Sequence, residues 1–258
     1  MALNTILVHS LCSRLKPGTR IASMGYPDII APRKELEKIL GSRIYSLKEN
    51  KNSEEIGKWH GVRQEIPDAH SFFELQGATL DVFDTVKHRG CEIVADLNFP
   101  ITQAEEYDFV LDIGTMEHCF NIGQAAMNMA GLLKSGGIIL HENPFNWGNH
   151  GFYNINPTWY VDFYGQTGFD LLDLQMIVRN CKMDGTNVGN ISKTKRFAYM
   201  QSEANMVAIA RRTVVQEIIF PVQSKYANKI SSLQKVIPAA EVSGERDANE
   251  RAIGAVNV

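Results

Sequence analysis

From Arg20 onward the chain alternates short apolar runs, each closed near a glycine or an acid, with stretches whose apolar residues recur every three or four positions. Nothing else in the sequence narrows the fold as much, because strand-length runs separated by helical segments make a parallel sheet wound by crossovers. The runs are RIASM before Gly25, ATLDVFD ending at Asp84, CEIVAD ending at Asp96, YDFVLD ending at Asp112, IILH ending at His141, FDLLDLQMIV and NMVAIARR. Helices are expected in the leading segment, over PRKELEKILG closed by Gly41, and over DAHSFFELQG between a capping Asp68 and Gly77. Two more are expected from about Asn121 to Leu133 and from Pro157, which suits a first helical turn, to about Gly168. The last two runs break the rhythm, since about 25 residues join them without a helical pattern. A crossover needs a covering element, so these two are predicted to pair antiparallel at the sheet edge.

The 258 residues are 44% hydrophobic and 21% charged, which suits a globular chain with a real core. Residues 1–237 are read as one domain and 238–258, polar and rich in small residues, as a disordered tail. A net charge of −3 argues against nucleic acid or an anionic membrane as partner. No apolar run approaches the roughly 18 residues of a span, and the N-terminus lacks a basic leader segment. The four cysteines lie far apart with no CxxC. They are expected to be reduced, in a cytoplasmic protein.

In an open α/β sheet, ligands bind outside the carboxyl ends of the strands, so strand-end residues carry weight. Gly25 lets a ligand approach the backbone. Asp84 is placed to accept from two ribose hydroxyls, and Asp96 with Leu97 suits an adenine amino group beside an apolar contact. Asp112, Ile113 and Gly114 form the fourth strand end.

The stretch EEYDFVLDIGTMEHCFNIGQAAMNMAGLLKSGGIILHENP resembles the fourth strand, the Glu-His helix start and the glycine turn before the fifth strand of class I S-adenosylmethionine-dependent methyltransferases. The resemblance runs from about Arg20 to Arg211. It implies a doubly wound, mostly parallel seven-stranded sheet with an antiparallel edge strand and helices on both faces. It also implies S-adenosyl-L-methionine as cofactor, with Gly25 and Tyr26 along the methionine moiety, Asp84 on the ribose, Asp96 and Leu97 at the adenine, and Asp112 to Gly114 bordering the sulfonium. Two features depart from the pattern. SMGYPD stands where the family has an acidic strand and GxGxG, and Ser135 stands where proline is usual. From Gly25 to Asp84 the chain also advances 59 residues (84 − 25), where about 20 serve. Residues 27–66 are therefore read as an insertion folding over the site, with Trp59 and His60 as contacts.

After the fifth strand, HENPFNWGNHGFYNINPTWY combines amides and rings, so Asn146, Trp147 and Tyr153 are expected to line an acceptor pocket. An oxygen or nitrogen acceptor must lose a proton, for which a neutral His serves. His150 is the first candidate, then His141 and His118. The basic connection RNCKMDGTNVGNISKTKRF, through Arg179 and Lys195, would attract an anionic acceptor. The ExxEH run by which some members of that family ligate a divalent ion is incomplete here, since Gly114 occupies the first carboxylate's place, and no metal is expected. The helix from Pro157 and the patch IIFPV (Ile218 to Val222) are candidate homodimer surfaces. A nicotinamide enzyme would need GxGxxG and commonly Tyr-x-x-x-Lys, and neither is present. The expected function is methylation of a small anionic metabolite such as a sugar or nucleotide-sugar. The alternative is a non-catalytic member of the fold acting as a binding or scaffold protein.

Overall fold

The computed structural model describes residues 2–101, 107–178, 203–214 and 218–227. The chain divides into two compact units, residues 1–221 and 222–258. Of the second, only the start is described, with the short helix Ser224–Ala227. The predicted tail over 238–258 lies outside the described residues.

The first unit opens with β1 (Ala2–Leu3) and α1 (Thr5–Cys12), followed by β2 (Arg20–Met24), β3 (Asp28–Ile29), α2 (Arg33–Leu40), a 3-10 turn at Gly41–Ser46 and α3 (Ser53–His60). Then come α4 (Ala69–Glu74), β4 (Thr79–Asp84), β5 (Ile93–Val94), β6 (Tyr107–Ile113), a 3-10 turn at Met116–His118, α5 (Ile122–Leu132), β7 (Leu133–Pro144), α6 (Pro157–Gln166), β8 (Phe169–Val178) and β9 (Ala204–Arg212). Local chemistry explains most boundaries. Asn4, Asp68, Asn121 and Asn156 each cap a helix by accepting from a backbone N–H two or three residues on. Pro157 occupies the first turn of α6, as predicted.

The main sheet has the order β5-β4-β2-β6-β7-β9-β8, so its seven strands, ranked along the chain, run 3-2-1-4-5-7-6. All pair in parallel except β9, which is antiparallel to both β7 and β8. This is the sheet that the resemblance to class I methyltransferases implies, and the predicted antiparallel pair is there, with β8 as the outermost strand. A second, two-stranded sheet of β1 and β3 had no signal in the sequence.

The strand period of two sends alternate side chains to opposite faces. Ala22, Val110 and Ile139 face a core shared with Met129 of α5 and Tyr160 and Phe163 of α6. Ile21, Phe109 and Leu140 face the other core with Leu7 of α1, Leu36 of α2 and Phe72 of α4. The apolar side of α6, proposed above as a dimer surface, is therefore spent on the core. No helix among the described residues is long and apolar enough to cross a membrane. The registers Met24↔Phe83, Phe83↔Ile93 and Asp112↔His141 align the carboxyl ends of the five parallel strands along one edge.

Candidate functional site

At the first strand end, Gly25 adopts φ +81° and donates its N–H to the Phe83 carbonyl at 2.6 Å. That conformation suits glycine alone. The turn beyond it is filled rather than open. Tyr26 is buried, and its hydroxyl donates to Asp68 at 2.7 Å and accepts from the Ala69 N–H at 2.9 Å. The Arg89 guanidinium lies 3.8 Å over its ring and donates to Asp28 at 2.8 Å. His60 Nε2 is 3.1 Å from the other Asp28 oxygen. Burial pushes Asp28 up, but the bonds from His60 and Arg89 and the guanidinium charge outweigh it and hold the carboxyl below its ordinary value.

Asp84 closes β4 half-exposed, with only long contacts to Oδ1, from the Thr85 hydroxyl at 3.4 Å and the Val86 N–H at 3.5 Å. Asp96 is exposed and accepts from the Asn98 backbone and amide, while Leu97 beside it is buried. Gly114 follows β6 with φ +75°, and a Cβ there would stand 3.3 Å from Glu117 Oε1. Gly25, Asp84, Asp96 and Gly114 thus stand at the ends of adjacent strands, as the sequence predicts. Their chemistry fits a nucleoside: a carboxylate with spare acceptor capacity for a diol, an apolar side chain for a ring, and glycine backbone at two close approaches.

Behind Gly114 lies a polar network inside the core. Asp112 is fully buried, and its Oδ1 accepts from the N–H groups of Thr115 and Met116. Its Oδ2 meets His141 Nδ1 at 2.7 Å and accepts from the Asn143 amide at 2.9 Å. His141 Nε2 bonds the Tyr164 hydroxyl, and Tyr160 donates to Asn143 at 2.7 Å. Burial, with Asp112 nearby, raises both tyrosines well above their usual value. This corrects one expectation: His141, with no exposed surface and both ring nitrogens engaged, cannot reach an acceptor's proton. The Asp112 side chain likewise faces the core, so only the backbone of Asp112 to Gly114 borders the open edge.

The network ends on Glu117. This carboxylate is fully buried, and Oε2 accepts from the Asn143 amide at 3.0 Å. Among the described residues Oε1 has no hydrogen bond, and it points at two imidazoles, His150 Nε2 at 3.6 Å and His118 Nε2 at 3.9 Å. Burial and the charge of Asp112 push Glu117 up to about 8. Burial and the neighbouring His150 lower His118, so it is neutral at neutral pH. The two rings meet edge to face with centroids 5.0 Å apart. A loop brings them together. Asn149 at φ 56° turns the chain, the Phe152 N–H donates to the Glu117 carbonyl at 2.8 Å, and Gly151 packs so closely that a Cβ would lie 2.9 Å from that carbonyl.

The other candidates divide. Trp147 lies against His150 with centroids 5.1 Å apart, and the Tyr153 hydroxyl donates to the Phe120 carbonyl at 2.8 Å. These two rim the cluster, as do the exposed rings of Phe120 and Phe152, stacked edge to face at 5.5 Å. Asn146 braces the loop to β9 by accepting from the Ala204 N–H at 2.7 Å. Trp59 is 78% exposed and stacks on His60, which is committed to Asp28. Arg179 and Lys195 lie outside the described residues. Arg89, Asp28, Asn143, Tyr160 and Tyr164 were not singled out from sequence. A cleft of about 200 Å³ lined by Arg33, Glu49 and Gln64 sits in the insertion and holds none of the strand-end residues.

No family model and no curated protein sequence matches the chain. Among solved structures, the 1,6-didemethyltoxoflavin-N1-methyltransferase of Burkholderia thailandensis, solved with 1,6-didemethyltoxoflavin and S-adenosylhomocysteine, is similar over 81% of this chain and 76% of its own. Its TM-score is 0.44 and its identity 13%. TehB from Haemophilus influenzae matches over 80% and 61%, with a TM-score of 0.46 and 11% identity. The cyclase SpnF matches over 81% and 81%, at 0.45 and 11%. At such values these likenesses carry nothing about the site, whose reading rests on this chain's own residues.

Proposed function

We propose that this chain is an S-adenosylmethionine-dependent methyltransferase acting on a small metabolite. The observation that carries the reading is the alignment of Gly25, Asp84, Asp96 and Gly114 along the carboxyl edge of a 3-2-1-4-5-7-6 sheet. When bound, the cofactor supplies a methyl group made electrophilic by its sulfonium. Asp84 accepts from the ribose diol, Leu97 and Asp96 meet the adenine, and the backbone at Gly25 and Gly114 permits close approach. Trp147, Phe152 and Tyr153 bound the acceptor side and hold its reacting atom in line. His118, kept neutral, takes the proton that an oxygen or nitrogen acceptor must lose, with His150 beside it. The positive charge of the connection between β8 and β9, including Arg179 and Lys195, favours an anionic acceptor.

Calorimetric titration with S-adenosylmethionine, S-adenosylhomocysteine and NAD tests the reading. Either sulfur compound should bind, and Asp84→Ala should weaken that binding at least tenfold, the loss of charge-assisted bonds to a diol. Binding of NAD alone would overturn it. One observation favours a second reading: Tyr26, Asp28 and Arg89 fill the turn that an open glycine loop would occupy. A folded protein that binds neither sulfur compound would be the non-catalytic binding protein instead.

A further inference from the structure

We propose that the rings of Phe120, Trp147, Phe152 and Tyr153, gathered around His118 and His150 beside the carboxyl end of β6, take a flat aromatic acceptor that carries a hydroxyl or a ring N–H. The acceptor class is then an arene or heteroarene rather than the sugar expected from the sequence. The aromatic site stands on these residues alone, and that its occupant is methylated rests on the methyltransferase reading. The rings form a connected band. Trp147 lies 5.1 Å from His150, and His150 5.0 Å from His118, centroid to centroid. Phe120 meets Phe152 edge to face at 5.5 Å, and Phe152 is 6.4 Å from Tyr153. Two backbone acceptors tie the halves together, since Phe152 donates its N–H to the Glu117 carbonyl and Tyr153 its hydroxyl to the Phe120 carbonyl. Phe120 and Phe152 are nevertheless 71% and 63% exposed. Phenylalanine is among the side chains most often buried, and neighbouring exposed rings beside titratable groups mark a ligand surface.

What this band offers a ligand is ring surface more than hydrogen bonds, because the amides of the loop after β7 are engaged in holding the chain. Asn146 accepts from the Ala204 N–H at 2.7 Å, and Asn156 caps α6 by accepting from the Thr158 N–H at 3.2 Å. Asn154 closes the loop on itself, accepting from the Trp147 N–H at 2.8 Å and donating to the Trp147 carbonyl at 3.0 Å. A polyhydroxyl ligand needs a polar partner for each group it takes out of water. A flat ring needs edge or face contacts with centroids about 4.5–7 Å apart, and the band supplies them. The proton chemistry agrees. Burial and the neighbouring His150 hold His118 below its ordinary value, which makes it a weak base. A phenolic O–H titrates near about 10 and water near about 15.7, which an aliphatic hydroxyl resembles. A weak imidazole therefore takes the proton of a ring hydroxyl far more readily than that of a sugar.

The test titrates the full-length protein by calorimetry with 2-naphthol, with its saturated counterpart decahydro-2-naphthol and with glucose 1-phosphate, each with and without saturating S-adenosylhomocysteine. One equivalent of 2-naphthol should bind, at least fivefold tighter than the saturated alcohol and tighter than the sugar phosphate. Phe120→Ala and Phe152→Ala should each weaken it about three- to tenfold, the factor that corresponds to one aromatic pair. The double variant should weaken it more than either. Both rings are exposed, so these variants should keep the wild-type urea midpoint. Tyr45→Ala, which removes an exposed ring in the insertion, should leave binding unchanged. Absence of saturable 2-naphthol binding, a smaller preference over the saturated alcohol, tighter binding of glucose 1-phosphate, or indifference to the double variant overturns the proposal. Binding of 2-naphthol to a protein that takes no S-adenosylhomocysteine leaves the aromatic site standing and removes the methyltransferase reading, and S-adenosylhomocysteine binding without 2-naphthol does the reverse.

Discussion

Two corners of the carboxyl edge handle buried carboxylates in opposite ways. At the turn after β2, Asp28 is buried but compensated: Arg89 donates to one oxygen, His60 meets the other, and the guanidinium lies 3.8 Å over the Tyr26 ring. At the turn after β6, Glu117 is just as buried, yet among the described residues its only side-chain hydrogen bond comes from the neutral amide of Asn143, while its other oxygen accepts none and faces His150 and His118 at 3.6 and 3.9 Å. Neutralisation within the protein marks a corner built to hold the chain in place. The β6 corner instead leaves Glu117 without a cation and holds it mostly protonated at neutral pH, and this is why the chemistry is assigned to the β6 and β7 side although the sequence also drew attention to the insertion.

The comparison can be broken at four points. Arg89→Ala should cost the most, about 3 kcal/mol in urea unfolding, because it strands the Asp28 carboxylate in the interior; a loss below about 1 kcal/mol would mean that water reaches this corner freely. Glu117→Gln should act in the opposite direction. Its raised value in the fold means that folded wild type binds extra protons and loses stability as pH rises from about 4.5 through about 8. At pH 8 the variant should be more stable by about 1–2 kcal/mol, with its pH slope flattened. If it is less stable, the bare oxygen has a partner in solution.

Asp28 supplies the third point. Its value is lowered in the fold, so its contribution is fully present above the ordinary carboxylate range near 4 and is lost as pH falls through the folded value. The urea midpoints of wild type and Asp28→Asn should therefore converge by roughly 1 kcal/mol between pH 5 and pH 3. The smallest effect belongs to His150→Ala. Lying in a loop and partly exposed, it should change unfolding by less than about 0.5 kcal/mol, so that any loss of acceptor binding in this variant is a loss of the contact itself.

Much of the fold was legible in the chain because its determinants are local. Asp68, Asn121 and Pro157 mark helix starts, Gly41 and Gly77 take positive φ where helices stop, and the apolar runs become strands with alternate residues in two cores. The joining of β8 and β9 as an antiparallel pair followed from the lack of a helical pattern in the sequence between them. The short β1–β3 sheet left no trace, since two residues on each side carry no period. In the candidate site, the strand-end residues could be named in advance because sheet topology fixes which ends share an edge.

The roles of the histidines could not. In sequence His118, His141 and His150 differ only by place, at a helix start, a strand end and a polar loop, which ranks the loop histidine first but says nothing of what covers each ring. Packing separated them: α6 covers His141 with Tyr160 and Tyr164, while the Asn149–Gly151 turn carries His150 to Glu117. The same holds for Arg89, an ordinary loop arginine until Asp28 and Tyr26 are folded against it. The chain by itself determined its elements, their sheet and the edge on which chemistry would gather, because hydrophobic period, caps and glycine conformations act between near neighbours. Which buried acids gain a charged partner and which do not was decided only by tertiary structure, because the free energy of a buried ion depends on atoms contributed from distant parts of the sequence.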